Sequence, residues 1–235
     1  VEACVRHGCD YVDITGEVPW VKSIIDLYHE EAVANERLIV PLCGFDSVPS
    51  DLTTLLAVRS LWQQHHQHAC RVRSYVVSRG TVSGGTIQTG IDLRQKFEEQ
   101  FNDPFLLSDG VRGESSPAWE QDLTVAEWDS WAFGLATANL DNDSDSVNDG
   151  VWTAPFTMAK INTRVVRRSN MLFGVDCDGP ARTAYSGVDA NKFHFSERAV
   201  AKSQSVAERM AKNENVPPDT IAKLVERKRL PQQGQ

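Results

Sequence analysis

Two short apolar runs, each closed by a glycine and followed by a helical stripe, constrain the fold of this chain most strongly. Residues 11–15 form a β-prone run that stops at Gly16, and residues 38–43 form a nearly all-apolar run that stops at Gly44. Between them, apolar side chains recur at the spacing of one helix face, at Val21, Ile24, Ile25 and Tyr28. A similar stripe follows the second run. This order of strand, helix, strand and helix favours an α/β fold with a parallel sheet covered by helices.

The loops that follow the two predicted strands form the first candidate site. Parallel sheets bind ligands beyond the carboxyl ends of their strands, and glycine there lets the backbone approach a ligand closely. We predict that the ligand cleft is lined by Asp13, Gly16 and Glu17 from the first loop and by Gly44, Phe45, Asp46 and Ser47 from the second. The alternative for the same residues is turn chemistry and helix capping, by Glu17 at the first loop and by Asp46, Ser47 or Ser50 at the second.

The pattern changes near residue 69, where we place a domain boundary. Residues 71–79 are β-rich, a helix is predicted from about 88 to 100, and residues 103–150 are rich in loops. Residues 152–161 are predicted to be extended, and Asn162 to cap a short helix. Two helices, at about 197–213 and 219–229, finish the chain. The second part is therefore predicted to be of the α+β class.

A glycine-rich turn before the helix at 88–100 is the second candidate site. It offers backbone N–H groups and two hydroxyls, which suit a carboxylate or phosphate of a substrate. The residues are Ser83, Gly84, Gly85 and Thr86. The alternative is a tight turn between a strand and a helix. The three histidines between 65 and 68 lack the supporting groups that a metal site needs, so no metal site is predicted.

The charge balance argues against a nucleic-acid partner. The 24 basic and 32 acidic residues give a net charge of −8, which opposes nonspecific binding to phosphates. Eleven acidic residues and one basic residue fall between 103 and 150, so this stretch carries the excess. The five cysteines are scattered and odd in number, which favours free thiols in a reducing compartment over a secreted, disulfide-bonded protein. Cys4 and Cys43 are expected to be small buried side chains.

The most specific motif is Cys-Gly-Phe-Asp-Ser-Val-Pro-Ser-Asp at residues 43–51. Weaker motifs precede it at 10–17 and 29–30 and follow it at 80–86, 155–156 and 165–169. Together, in this order and over about residues 1–173, they resemble the saccharopine dehydrogenase-like oxidoreductase family. That family includes the trans-acting enoyl reductases of bacterial lipid synthesis and eukaryotic saccharopine dehydrogenase-like proteins.

The resemblance implies a domain organisation and a cofactor. Residues 1–68 would be the C-terminal part of a Rossmann-type parallel sheet, residues 69–190 a second α+β domain for substrate binding or dimerisation, and residues 191–235 C-terminal helices. NADP or NAD would bind at the first candidate site. The Gly-x-Gly-x-x-Gly turn that holds the cofactor pyrophosphate in such folds does not occur here. We therefore expect that the first strands precede Val1 and that this chain binds dinucleotide weakly or not at all.

The resemblance also implies an activity, hydride reduction of a C=C or C=N bond in a lipid-like or acyl substrate, on the cytoplasmic side of the membrane and with a homodimer as one assembly. No catalytic acid is identified. One alternative is a noncatalytic scaffold on a membrane or lipid droplet. The other is a saccharopine reductase of lysine synthesis, which needs arginines for the substrate carboxylates. Those that could serve are Arg71, Arg73, Arg79, Arg167 and Arg168.

Overall fold

The computed structural model describes residues 1–77, 103–108, 126–128, 151–175 and 193–214, together with Thr89, Leu93, Lys96, Phe97, Glu99 and Gln100. The described part is a mixed α/β structure with one parallel sheet and one mixed sheet. None of the helices in the described part of the chain combines the length and the apolar composition that spanning a bilayer requires.

The first sheet has the predicted parallel strands and helical connection. Its elements are α1 (Glu2–His7), β1 (Tyr11–Val12), α2 (Val18–Ala34), β2 (Ile39–Val40) and α3 (Val48–His65). Tyr11 pairs with Ile39 and Val12 with Val40. The sequence prediction of strand, helix, strand and helix is therefore confirmed.

Local sequence accounts for the ends of the two long helices. Pro19 and Pro49 lie in the first turns of α2 and α3, where a missing N–H costs nothing and the fixed φ angle suits a helix. Helix α2 ends at Asn35, whose N–H donates to the carbonyl of Glu31. Its apolar stripe is buried in a core made by Val18, Val21, Leu42 and Leu107.

The second sheet contains β3 (Arg71–Val76), β4 (Ala126–Trp128), β5 (Val151–Pro155) and β6 (His194–Ala201), in the order β3-β6-β5-β4. Strands β3 and β6 are parallel, and the other neighbours are antiparallel. Helix α4 (Ala159–Val175) packs on β6 through Val166 and Phe195, and α5 (Gln204–Glu214) packs on β5 through Ala207 and Ala154. Helix α4 also contacts α3, so it joins the two sheets.

Two helix predictions are wrong in detail. Residues 194–201 form strand β6, although the helix was predicted to begin at about 197. The stretch contains Glu197, Arg198 and two alanines, which suit a helix locally, but burial between β3 and β5 decides the outcome. Asn162 lies inside α4 and does not cap it. The helix predicted at 219–229 lies outside the described residues, as does most of the one at 88–100.

Candidate functional site at the strand ends and an adjoining cavity

The loops after β1 and β2 lie against each other at the carboxyl edge of the parallel sheet. The carbonyl oxygen of Asp13 accepts a hydrogen bond from the N–H of Cys43 at 2.8 Å. One carboxylate oxygen of Asp13 accepts from the N–H groups of Thr15 at 2.9 Å and Leu42 at 3.2 Å. The other accepts from the hydroxyl of Tyr11 at 2.8 Å, and this hydrogen bond raises the pKa of Tyr11. Asp13 therefore braces both loops.

The two glycines make room for neighbouring side chains. A Cβ atom on Gly44 would lie 2.9 Å from Cβ and Cγ2 of Ile14, closer than carbon atoms can pack. A Cβ atom on Gly16 would lie 3.2 Å from Cδ1 of Ile161. The glycines thus let the first loop touch the second loop and α4. Contact with neighbouring side chains therefore accounts for both glycines, and their assignment to a cofactor stays a prediction.

Helix capping does not account for the remaining residues of the first candidate site. Neither Glu17 nor Ser47 makes a side-chain capping hydrogen bond, although each occupies the N-cap position of its helix. The side chains of Glu17, Phe45 and Asp46 are exposed, and Phe45 is 90% accessible. These three side chains are available to a ligand at the strand edge. Their assignment to a cofactor stays a prediction.

Ser47 and Ser50 belong to a buried polar network that joins the two sheets. The hydroxyl of Ser50 donates to Oε1 of Glu197 at 2.7 Å, and Nδ2 of Asn162 donates to Oε2 of Glu197 at 2.7 Å. Nδ2 of Asn162 also donates to Oγ of Ser50 at 3.1 Å, and Oδ1 of Asn162 accepts from the hydroxyl of Ser47 at 3.0 Å. The hydroxyl of Ser74 on β3 completes the network by donating to Oε1 of Glu197 at 3.1 Å.

The network fixes the second loop relative to the mixed sheet. Asn162 is 1% accessible, Ser47 2% and Glu197 5%, so water does not replace these hydrogen bonds. Sequence analysis did not identify Asn162 and Glu197 as partners of the 43–51 motif. One signal was present, because that motif has more hydroxyl and carboxyl groups than the capping of one helix requires.

Arginines of α4 hold the segment at 103–108. The guanidinium groups of Arg164, Arg167 and Arg168 donate to the carbonyl oxygens of Asp103, Pro104 and Leu107, at 2.8, 2.8 and 2.9 Å. Burial, followed by repulsion from Arg167, lowers the pKa of Arg164 to about 10. Arg167 and Arg168 therefore hold the 103–108 segment against α4. This role weakens the case that they bind the carboxylates of a substrate. Arg71 and Arg73 lie on β3, and Arg79 lies outside the described residues.

A cavity of about 400 Å³ lies beside the second loop, between α2, β2, α3 and α4. Its wall is mostly apolar and includes the buried side chains Val21, Ile24, Ala32, Leu42 and Leu107. Polar or ionisable groups also line it, namely Tyr28, His29, Arg37, Cys43, Asp51, Arg168 and Ser169. Cys43 is exposed, contrary to the expectation of a buried thiol, because it begins the loop that leaves the sheet.

Asp51 is the unusual polar group of the cavity. Its Oδ2 accepts a hydrogen bond from the hydroxyl of Ser169 at 2.8 Å. Its Oδ1 is buried and has no hydrogen-bond partner among the described residues. Burial raises the pKa of Asp51, and the bond from Ser169 opposes that shift. Asp51 is part of the 43–51 motif, but nothing in its local sequence distinguished it from a residue in the first turn of a helix.

The second candidate site, Ser83, Gly84, Gly85 and Thr86, lies outside the described residues. Its assignment to the substrate stays a prediction. Among the described residues, no group of three or more histidine, cysteine or carboxylate side chains is placed to hold a metal ion.

Comparisons with known proteins found relatives that share one name. A protein of Mycobacterium tuberculosis (strain H37Rv) that carries the name trans-acting enoyl reductase provisionally is 36% identical over 182 residues, which cover 73% of this chain. The trans-acting enoyl reductase of Mycobacterium leprae is 32% identical over the same length. No protein-family profile and no solved structure matches the chain. The aligned residues span about 40% of the length of these curated relatives. Over most of its length, the chain is therefore similar to trans-acting enoyl reductases.

Proposed function

We propose that this protein is an oxidoreductase of the enoyl reductase type. It would transfer a hydride from NADPH or NADH to the β-carbon of an enoyl group, while a proton from solvent is added to the α-carbon. The products are then a saturated acyl group and the oxidised nucleotide. The observation that carries the proposal is the similarity to proteins named trans-acting enoyl reductase at 32–36% identity.

The carboxyl edge of the parallel sheet supports the proposal. Such an edge is where α/β proteins bind nucleotides, and the two loops here are held together at that edge by Asp13. We assign the parallel strands to a Rossmann-type domain on this basis. The exposed side chains of Glu17, Phe45 and Asp46 would contact the cofactor. The bound cofactor supplies the hydride, and these residues orient it and exclude water.

The substrate and the setting follow from the same proposal. The substrate would be an acyl or lipid-like compound, bound close to the strand edge. Contact with a membrane surface or lipid droplet on the cytoplasmic side, and assembly as a homodimer, are further proposals that the sequence resemblance suggests. A nucleic-acid partner is not part of the proposal, because the net charge of −8 opposes it.

The test is transfer of deuterium from labelled cofactor to product. The chain is incubated with a trans-2-enoyl thioester and with NADPH or NADH that carries deuterium at the transferred position. The sequence predicts that dinucleotide binds weakly or not at all, and the proposal requires weak binding, so cofactor is used at millimolar concentration. Mass spectrometry of the saturated thioester should then show one deuterium at the β-carbon, above a sample without protein. A product free of deuterium at every cofactor concentration would remove the assignment.

Paired variants make the test specific to the strand edge. Replacing Phe45 with alanine should lower deuterium transfer, because an exposed ring proposed to contact the cofactor is lost. Replacing Leu27, which is 69% accessible on α2 and does not belong to the strand edge, should leave transfer unchanged. If the two variants transfer deuterium at equal rates, the activity does not depend on Phe45 at the strand edge.

A further inference from the structure

The cavity between α2, β2, α3 and α4 has the features of a binding site for a single kind of ligand. We propose that it binds the apolar chain of a molecule whose one neutral polar end, a hydroxyl or carbonyl oxygen, meets the Asp51–Ser169 pair. The identification of that molecule as the substrate of the reductase rests on the proposed function. The binding itself does not.

The volume and the wall of the cavity indicate that the ligand has an apolar chain. A volume of about 400 Å³ falls in the usual range for small-molecule sites. Val21, Ile24 and Leu42 give it a buried hydrocarbon wall. On the accessible side lie Val33, Leu38 and Val40, which are 63%, 68% and 42% exposed. Such exposed aliphatic side chains beside a buried apolar wall are suited to an unbranched hydrocarbon chain entering from solvent.

Asp51 indicates that the ligand has a polar end. A buried oxygen without a hydrogen-bond partner is rare in proteins, and a ligand atom is one way to satisfy it. Oδ1 of Asp51 is in that state, while Oδ2 is held in place by Ser169. Burial raises the pKa of Asp51, which disfavours a second negative charge beside it. A neutral hydroxyl can donate to the carboxylate, and a carbonyl can accept from the protonated acid. A ligand carboxylate cannot donate, and its negative charge would be costly to bury in a mostly apolar cavity.

The cavity adjoins the strand edge. Cys43 and Val48 line it, and these residues flank the loop whose Phe45 and Asp46 are assigned to the cofactor. A ligand in the cavity would therefore lie next to the loop proposed to contact the cofactor. Arg168 also lines the cavity, but one of its guanidinium nitrogens donates to the carbonyl of Leu107 at 2.9 Å. It is thus engaged in holding the 103–108 segment.

The experiment measures binding of two probes to the whole chain without cofactor. The probes are 1-decanol and decanoic acid, and ligand-detected NMR gives their dissociation constants. We expect 1-decanol to bind more tightly. Replacing Ala32 with leucine fills part of the cavity and should weaken 1-decanol about tenfold. The matched variant is Ala34→Leu, at an exposed position of the same helix that does not line the cavity, and it should bind as the wild type does.

A second variant tests the polar end and does not depend on cavity filling. Asp51→Leu removes the unpartnered oxygen, so 1-decanol should bind about threefold to tenfold more weakly, as expected for one lost hydrogen bond. The preference for 1-decanol over decanoic acid should also disappear. Circular dichroism shows whether each variant folds, and if Ala32→Leu does not, Asp51→Leu decides alone. An unchanged preference in Asp51→Leu, or equal binding by folded Ala32→Leu and Ala34→Leu, overturns the proposal.

The two proposals fail separately. Loss of deuterium transfer with 1-decanol binding intact removes the enoyl reductase function and leaves the cavity as an apolar binding site. Undiminished transfer in a folded Ala32→Leu variant that no longer binds 1-decanol would show that the reductase substrate binds elsewhere, and would overturn that part of the assignment.

Discussion

Replacing Asn162 with alanine removes the amide at the centre of the buried network. Three hydrogen bonds are lost, one to the carboxylate of Glu197 and two with the hydroxyls of Ser47 and Ser50. A hydrogen bond to a charged group contributes about 1.5–3 kcal/mol and a neutral one about 1 kcal/mol. The higher helix propensity of alanine returns about 0.5 kcal/mol. We therefore expect the free energy of unfolding to fall by about 3–4.5 kcal/mol.

A loss of this size is large, because domains of this kind have a total stability of about 5–15 kcal/mol. Urea unfolding followed by tryptophan fluorescence measures it as a lower midpoint with an unchanged slope. The variant Ser74→Ala removes a single bond of 3.1 Å to the carboxylate of Glu197 and should cost less, about 1.5–3 kcal/mol. The control is Gln63→Ala at an exposed position of α3, which should change stability by less than about 0.5 kcal/mol.

The reasoning depends on the network being a joint that water cannot replace. If Asn162→Ala costs no more than Gln63→Ala, the amide is not a stabilising link between α3 and β6. If Asn162→Ala and Ser74→Ala lower the free energy of unfolding equally, the amide of Asn162 contributes no more to stability than the single hydrogen bond of Ser74.

Three further outcomes are expected. Gly44→Ala should lower stability by about 1–3 kcal/mol in thermal unfolding, because the new Cβ would lie 2.9 Å from Ile14. Asp51→Asn should gain stability relative to the wild type as the pH rises above 3.8, the ordinary pKa of an aspartate. The raised pKa of Asp51 in the folded state means that ionisation destabilises the folded wild type, and the asparagine does not ionise. Melting temperatures of both proteins, measured at pH values from below 3.8 upwards, test this. Arg167→Lys should lower stability by about 1–3 kcal/mol in urea, because a buried guanidinium bond and its contact over Phe105, 4.4 Å away, are lost.

Each of these outcomes has its own comparison. The comparison for Gly44→Ala is Gly8→Ala, which tests backbone conformation alone, because Gly8 has a φ of 73° and open space around it. If Gly44→Ala lowers stability no more than an exposed surface change does, the packing argument is contradicted. For Asp51, a stability difference that stays constant with pH would contradict the burial of its carboxyl group. For Arg167, the matched change is Arg59→Lys on the exposed side of α3, and equal effects would show that the buried contacts are unimportant.

The loops at the strand ends were predictable because their signals are local. An apolar run, a glycine and a helical stripe are each read from neighbouring residues, and they correctly located β1, β2 and the helices that follow them. The prediction of a helix from about residue 197 is wrong over residues 197–201, because it also used only local signals. Its local composition suits a helix, while the pairing with β3 and β5 that makes it a strand comes from residues more than 40 positions away.

The network and the cavity were not predictable in this way. Ser50 meets Glu197 across 147 residues, and Asn162 meets Ser50 across 112 residues. Asp51 meets Ser169 across 118 residues. No periodicity or spacing rule relates such positions, because the distance between them depends on how α3, α4 and β6 pack together.

By itself, the sequence determined the α/β order of the first part, the glycines at its strand ends and the similarity to enoyl reductases, since all three depend on the identity and spacing of neighbouring residues. Tertiary structure decided what the 43–51 motif does. Packing of α3 against α4 places Ser47 and Ser50 in a buried network and Asp51 at an apolar cavity, and it leaves Phe45 and Asp46 exposed. The physical reason is that burial, which gives a polar group its structural or chemical role, is set by contacts between distant segments.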